Sequence, residues 1–433
     1  MKKKLIFIVS EYFGPFQNVG SVKFTKIVKY LCSNISYEIM VFTRSSTGII
    51  DPFLEEDIRL IEKNGVKIFS IYSGDEYIEE NNKKKKKVVN ILERKIKKIF
   101  QKNDYDKQYY IKNQIEAKLF SENAYLEFKK EINRKPDVII STYDDWGGHY
   151  FAQKIKDNYP SAFWIADFRD PIGAAVKSIK YRKLCDDYSM DISRSSNVVT
   201  VASTDLINIM KFDNNSIIKV ITNGFDYSDY DGLDAEKSNN KKLRIVFAGA
   251  YYYGNLNPLF KVIKELVNQN QIELNSIEFH YAGQYGNKIK KEISQNGLEE
   301  IYKDYGLINR KEANRLQNSA DILIVLSVNR DDWQGVITGK FLASLCLRKR
   351  IIALVDGNKS DSEIKRRIKQ LRCGYCYEEI NRESDYSLLK NEIYKAYLEK
   401  VKNGKVFQEY NDSELSKYYL KNIAKQYEDL FPV

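Results

Sequence analysis

The chain has 433 residues and a formal net charge of +11, from 70 Lys and Arg against 59 Asp and Glu. That length exceeds one ordinary core and suits two domains, and the strong hydrophobic patterning excludes a disordered chain. The charge excess is Lys-heavy and diffuse, with no aromatic-interleaved basic stripe, so it excludes a recognisable nucleic-acid module and fits an anionic surface or a polyphosphate ligand.

Leu5–Val9 reads as a buried strand, since its apolar run is too short for a secretory leader and breaks at Ser10 and Glu11. The loop SEYFGPFQNVGS follows, then a helix from about Val22 to Cys32. Strands Tyr37–Phe42 and Val66–Ile71 continue the strand–helix alternation of a parallel sheet. Residues 75–130 leave that rhythm and read as a helical insertion, with the basic run Lys83–Lys87 and apolar Ile91, Ile96 and Phe100 at helical spacing. The basic run is either a contact for an anionic membrane or a solvated face. Strand Asp137–Ile140 resumes the sheet, followed by Gly147-Gly148, a helix over His149–Lys156 and strand Ala162–Ile165. The polar turn Asp167-Phe168-Arg169-Asp170-Pro171 comes directly after that strand. Strand Val198–Val201, a helix entry at Ser203–Asp205 and strand Ile217–Ile221 complete a first domain over residues 1–225.

The polar segment 226–242 reads as a linker. A second domain over 243–411 repeats the alternation. Its strands are Arg244–Ala248, Ile277–Ala282, a turn or strand near 300–305, Ile322–Leu326, Ile351–Val355 and Cys373–Tyr377. Helices are expected at 258–268, 286–296, 311–318, 361–371 and from Tyr386, with one more opened by Thr338 or Gly339 and carrying Phe341, Leu342 and Leu345. A last helix, 412–430 within the tail 412–433, is expected to reach back across the first domain. The fold class is therefore α/β, two doubly wound Rossmann-like domains facing across a cleft. No stretch has the roughly 18 apolar residues of a membrane span, so the expected location is cytoplasmic, at most peripheral at the inner membrane face.

Open α/β sheets bind ligands at the carboxyl ends of their strands. No GxGxxG follows the first strand and no P-loop is present, which argues against dinucleotide and P-loop ATPase chemistry. Of the two histidines, His280 lies inside the strand IEFHYAG and reads as structural. His149 stands at a helix start after two glycines, where it either hydrogen-bonds a sugar hydroxyl or developing charge, or is structural. Asp167, Arg169 and Asp170 are either a self-neutralising network or a substrate-holding turn stiffened by Pro171. The five cysteines include Cys373 and Cys376 at CxxC spacing, but no second pair or nearby His completes a zinc site; the two are either a redox pair or separate thiols, and separate thiols are expected. Gly335 and Gly339 allow close backbone approach, and Lys340 places a cation at a helix N-terminus, where it is disfavoured unless an anion joins it. A diphosphate held by helix-start N–H groups and that ammonium supplies the reason.

Three stretches resemble a known family: Glu11–Ser21, the run from Asp137 to Pro171 ending in DFRDP, and GLINRKEANRLQNSADILIVLS with GVITGKFLASL and RIIALV. Together they are similar to GT-B glycosyltransferases of the family-4-like kind, in the bacterial branch that builds surface polysaccharides. The resemblance covers most of the chain outside 75–130. It implies a nucleoside-diphosphate sugar donor, a glycan or lipid-linked acceptor, retention of anomeric configuration, and no metal or other cofactor. It further implies that His149, Arg169 and Asp170 serve catalysis, and that Glu11, Gly14, Gly20 and Ser21 lie beside the acceptor. Gly249, Asn255, Gly335, Thr338, Gly339 and Lys340 then face the donor. The chain departs from the family pattern where KLFEYL becomes KFLASL, placing Ala343 where a ribose-binding Glu is usual. Gly335 replaces a second Glu, and Asn255 stands where a basic residue often follows the glycine loop. Arg330, Asp332 and Glu312 are polar candidates to compensate. The alternative is a degenerate, non-catalytic subunit working with a protein partner.

Overall fold

The computed structural model describes residues 3–16, 18–45, 48–73, 104–132, 134–143, 145–173, 176–232, 241–252 and 254–432. The Lys83–Lys87 run and Ile91, Ile96 and Phe100 lie outside the described residues. The chain divides into two compact units, Met1–Thr222 with Ile423–Val433, and Asn223–Asn422.

In the first unit β1 (Lys4–Val9), β2 (Tyr37–Arg44), β3 (Lys67–Ile71), β4 (Val138–Tyr143), β5 (Phe163–Phe168), β6 (Val198–Val201) and β7 (Ile218–Val220) form one sheet in the order β3-β2-β1-β4-β5-β6-β7. All its neighbours pair in parallel. Leu5, Ile6, Phe7, Ile8 and Val9 are all buried, because a central parallel strand is covered on both faces and so reads as a continuous apolar run. Helix α1 (Val19–Leu31) starts at Asn18, whose side chain accepts from Gly20 N at 2.7 Å. Helix α2 (Pro52–Lys63) starts at Asp51 with Pro in its first turn.

From β3 the chain must cross β2 and β1 to reach β4, and α3 (Tyr105–Glu131) makes that crossing. Its residues Ala117, Phe120, Ala124 and Phe128 are buried in the sheet core, with Phe128 edge-on to Phe7 at 5.7 Å. This part of the expected helical insertion is thus a layer of the unit itself. Helix α4 (Gly147–Asn158) packs beside it. Helix α5 (Ile179–Ser195) is absent from the expected elements. Its buried positions are Cys185, Tyr188, Ser189, Ile192 and Ser193, so almost no aliphatic periodicity announces it. The short α6 (Thr204–Ile209) follows β6.

The second unit repeats the plan with β8 (Leu243–Ala248), β9 (Ile277–Ala282), β10 (Tyr302–Asp304), β11 (Ile322–Val328), β12 (Arg350–Asp356) and β13 (Gly374–Glu378), in the parallel order β10-β9-β8-β11-β12-β13. Its helices are α7 (Asn257–Asn268), α8 (Gly286–Gln295), α9 (Arg310–Asn318), α10 (Gly339–Cys346), α11 (Glu363–Leu371) and α12 (Arg382–Asn403). The start of the expected linker belongs to this unit. Asp229 is buried, accepts from Arg310 at 2.6 Å, and its carbonyl accepts from Asn314. All five cysteines are free thiols.

The single helix expected at 412–430 is instead α13 (Asp412–Leu415), a 3₁₀ turn at Ser416–Tyr418 and α14 (Leu420–Glu428). The break has a local cause: Phe225 N donates to Tyr418 O and Leu420 N donates to Phe225 O, which takes both groups out of any helical ladder. The residues after Ile423 pack in the first unit. There Tyr427 is fully buried and donates to Asp167 Oδ1 at 2.6 Å, while Glu428 accepts from Tyr37 and Asn34.

Asp167 is the polar hub of that unit. Fully buried, it pairs with the buried Lys23 at 3.1 Å and also accepts from Thr142 and Thr200. Asp167→Ala would strand the Lys23 ammonium and is expected to cost about 3–5 kcal/mol. Tyr427→Phe removes one bond to a charged group and should cost about 1.5–3 kcal/mol. Urea denaturation followed on the first unit's transition measures both, and equal small effects would contradict the ranking.

Candidate functional site

The order of each sheet reverses between two central strands, β1 and β4 in the first unit and β8 and β11 in the second. The loops leaving their carboxyl ends diverge there and make room for a ligand.

In the first unit Glu11 follows β1 and Gly147-Gly148 follows β4. The Glu11 side chain is buried, accepts from Gly148 N at 3.0 Å and pairs with Arg44 at 3.0 Å. Arg44 also reaches Asp145 at 3.3 Å, and Tyr12 donates to Asp145 at 3.0 Å. Burial raises the Glu11 carboxyl to about 7; the Asp145 charge adds to the rise, while Arg44 and the Gly148 N–H oppose it. Arg44, Tyr12 and Asp145 were not among the expected site residues. A charged residue directly after the buried middle of a strand, as Arg44 follows IMVFT in YEIMVFTR, is the signal that could have found the first of them.

His149 is fully buried inside a shell of rings. Its ring centroid lies 4.6 Å from Phe168, and Tyr143, Trp164 and Tyr188 stand at 6.4 to 6.5 Å. Nδ1 lies 2.7 Å from Ser141 Oγ, which accepts from Trp164 Nε1 at 2.8 Å. Burial lowers the imidazole to about 3, with the Asp167 charge opposing. It is therefore neutral across the physiological range.

The other expected first-unit residues occupy different places. Arg169 is half-buried and donates to the Gly20 carbonyl at 2.9 Å, whereas Asp170 is exposed. Gly14 packs against Leu54, Ile58 and Thr25, and its N–H donates to Thr25 Oγ1 at 2.9 Å. Ser21 is buried in the first turn of α1. The structure links Arg169 to Gly20 but brings neither Arg169 nor Asp170 to His149 by a hydrogen bond.

In the second unit two residues singled out separately in the sequence meet. Gly249 follows β8 at φ +123°, and a Cβ built there would lie 2.2 Å from Lys340 Cε. Only glycine lets the lysine stem cross the loop at that distance. Lys340 begins α10, whose N-cap Thr338 accepts from Phe341 N at 3.3 Å. The first-turn N–H groups and the ammonium thus share one end of the helix. Among the described residues no carboxylate pairs with Lys340, and its Nζ lies 6.0 Å from the centre of the Phe247 ring. Burial lowers its ammonium below the ordinary lysine range. The same glycine carbonyl accepts from Tyr281 at 3.0 Å, so the loop is held from behind.

Asn255 is not beside Lys340. It is exposed, its side chain accepts from Asn257 N at 2.9 Å at the entry to α7, and it borders a shallow surface depression with Leu354, Val355, Asp356, Tyr377 and Glu379. Gly335 is buried at φ +74° in the loop between β11 and α10. Glu312 closes a capping box with Asn309, which commits its side chain to α9. Arg330 forms a backbone bridge with Trp333, and Asp332 is exposed. Among the described residues no group of three or more His, Cys, Asp and Glu side chains could hold a metal ion, and no helix is long and apolar enough to cross a membrane.

Solved structures match this architecture over nearly the whole chain. A sucrose-phosphate synthase from Thermosynechococcus elongatus aligns with a TM-score of 0.61 at 12% identity, covering 99% of this chain and 98% of its own. The E. coli trehalose-6-phosphate structure bound with UDP-2-fluoro glucose gives 0.62 at 10% identity, covering 99% of each chain. The chain has the GT-B fold. A lipopolysaccharide outer core galactosyltransferase is also similar, at 0.55 and 12% identity over 98% of each chain. No protein-family model and no curated protein matches the sequence.

Two outcomes follow from this geometry. Gly249→Ala forces Lys340 from its place and puts a side chain at φ +123°, so it should lower the second unit's stability in urea by about 1–3 kcal/mol with little change in the far-UV spectrum, because the strained residue is confined to a loop. Since His149 has a folded-state value near 3 against 6.5 unfolded, its contribution to stability is present above pH 6.5 and is lost as pH falls toward 3. The non-titrating His149→Asn should flatten the acid limb of stability against pH by about 1.4 kcal/mol per pH unit in that window. An unchanged limb would mean that His149 titrates normally.

Proposed function

We propose that this chain is a family-4-like GT-B glycosyltransferase. It moves a sugar from a nucleoside-diphosphate sugar to a hydroxyl of a glycan or lipid-linked glycan, with retention of configuration. The observation that carries the reading is the Lys340 ammonium at the start of α10, laid across Gly249 and without a carboxylate partner among the described residues. A half-buried cation held beside helix-start N–H groups at the switch point of a parallel sheet is a diphosphate seat. The sugar nucleotides and sugar phosphates named for its structural neighbours support the choice of ligand class.

Chemically, the step breaks the bond between the anomeric carbon and the diphosphate oxygen and joins that carbon to the acceptor oxygen, whose proton is released. Negative charge builds on the departing diphosphate. Lys340 and the first-turn N–H groups of α10 are placed to take it up without reorganising, which is where most of the rate gain in such a site arises. Lys340 supplies positive charge at that oxygen, so turnover is expected to survive chelation. Arg169 and Asp170 serve catalysis from the first unit in this reading, Glu11, Gly14, Gly20 and Ser21 lie on the acceptor side, and a lipid-linked acceptor would be met at the inner membrane face.

Ala343 and Gly335, in place of carboxylates, leave the donor ribose to fewer contacts. The purified chain is nonetheless expected to transfer or hydrolyse at least one nucleotide sugar by itself. Lys340→Ala should weaken nucleotide-diphosphate binding by about 1.5–3 kcal/mol, roughly 10- to 150-fold, and lower kcat as well. Calorimetry against UDP, GDP and their sugars, with donor consumption followed by chromatography, checks both. Turnover that requires a second protein would favour the non-catalytic reading instead.

A further inference from the structure

We propose that Tyr281 is a positioning residue for the diphosphate seat: its hydroxyl and its ring hold the two residues beside which the Lys340 side chain runs, Gly249 and Phe247. Tyr281 is buried in β9, which pairs with β8. Its ring lies 5.6 Å from that of Phe247, whose centre is 6.0 Å from Lys340 Nζ. The hydroxyl has one hydrogen, and the bonds around it fix where that hydrogen goes. The N–H of Tyr285, just before α8, can only donate, and it lies 3.0 Å from Tyr281 Oη. The hydroxyl therefore directs its own hydrogen to Gly249 O, also at 3.0 Å.

A further glycine keeps this contact open. At Gly283 a Cβ would overlap Tyr281 Oη and come within 2.6 Å of the Gly249 oxygen, so a side chain there would part the two. Gly249 N also donates to Ala282 O at 2.7 Å, so both backbone polar groups of Gly249 are bonded to β9. The Lys340 stem crosses that same glycine where no Cβ fits. A shift of Gly249 thus changes the room left for the ammonium. Farther along, the loop has a separate anchor: Tyr251 Oη accepts from Leu256 N at 3.0 Å and donates to Glu292 of α8 at 2.9 Å. Removing the Tyr281 hydroxyl accordingly loosens the Gly249 end alone. Burial raises the Tyr281 phenol above the ordinary tyrosine value, which keeps the donor protonated. Tyr281 touches no substrate in this account and acts through Lys340. Its meaning for catalysis rests on the diphosphate reading; its hold on Lys340 does not.

Tyr281→Phe keeps the ring and deletes the hydroxyl. In the ligand-free protein, acetylation rates followed by mass spectrometry against pH report the ionisation of each lysine. Burial lowers Lys340, so a loosened Gly249 rehydrates it, and its titration should move up toward the ordinary lysine range in Tyr281→Phe. Lys349, lowered chiefly by burial just before β12, should stay where it is and serves as the control. Gly283→Ala, which blocks the hydroxyl instead of deleting it, should reproduce the shift, and it decides the matter if the Phe variant fails to fold. An unmoved Lys340 titration would overturn the proposal whether or not a nucleotide binds. Against UDP and GDP, Tyr281→Phe should weaken calorimetric affinity about fivefold or more in the wild-type background and leave it unchanged in Lys340→Ala. Equal losses in both backgrounds would make Tyr281 a structural residue only. Lys340→Ala that binds as tightly as the wild type, or no nucleotide binding at all, would fall on the diphosphate reading, and the acetylation result would still decide the hold of Tyr281 on Lys340.

Discussion

A parallel sheet covered on both faces has nowhere to put polar chemistry except the ends of its strands. Both units obey that constraint. Their central strands β1, β4, β8 and β11 are buried almost throughout, and the charged groups stand at or beyond strand ends: Glu11 after β1, Arg44 at the end of β2, Asp167 near the end of β5, and Lys340 in the segment after β11. The divergence of chain direction between β1 and β4, and again between β8 and β11, then decides which ends have space beside them.

The units use that space differently. In the first it is filled by the protein's own charges: Glu11 with Arg44 and the Gly148 N–H, and Asp167 with Lys23 and three hydroxyls. Buried ion pairs of this kind add little net stability, because desolvation offsets most of their attraction, but they fix the loops that carry them. The neutral His149 is held beside them by neutral bonds. In the second unit the equivalent place holds one cation with no carboxylate partner among the described residues, at a helix start, across a glycine with positive φ. The first unit's strand ends are thus charge-compensated, and the second unit's carry positive charge without a carboxylate beside it among the described residues.

Much of the fold was legible because buried parallel strands are continuous apolar runs; Leu5–Val9, Ile322–Leu326 and Ile351–Val355 all lie within observed strands. Helix α5 was not, since Ile192 is the one aliphatic residue on a buried face otherwise made of Cys, Tyr and Ser. The tail was read as one helix because its pattern is helical, and only the long-range bonds of Phe225 reveal the break. At the candidate site, residue types and strand ends pointed to Gly249 and Lys340 individually. Their contact depends on how far apart β8 and the start of α10 lie, which no local pattern encodes. The same holds for Ser141 and Trp164, ordinary strand residues until β4 and β5 set them beside His149.

The central claim is that Lys340 receives a diphosphate, and proton linkage tests it most directly. Burial holds the free ammonium below its ordinary range, and an anion seated on it must raise it again. Between the two values, binding has to take up protons. Calorimetric titration with UDP and GDP over a series of alkaline pH values, in buffers of different ionisation enthalpy, should therefore show proton uptake in the wild-type protein and none in Lys340→Arg, whose guanidinium does not titrate there. Binding without proton uptake, or equal uptake in both proteins, would contradict the account.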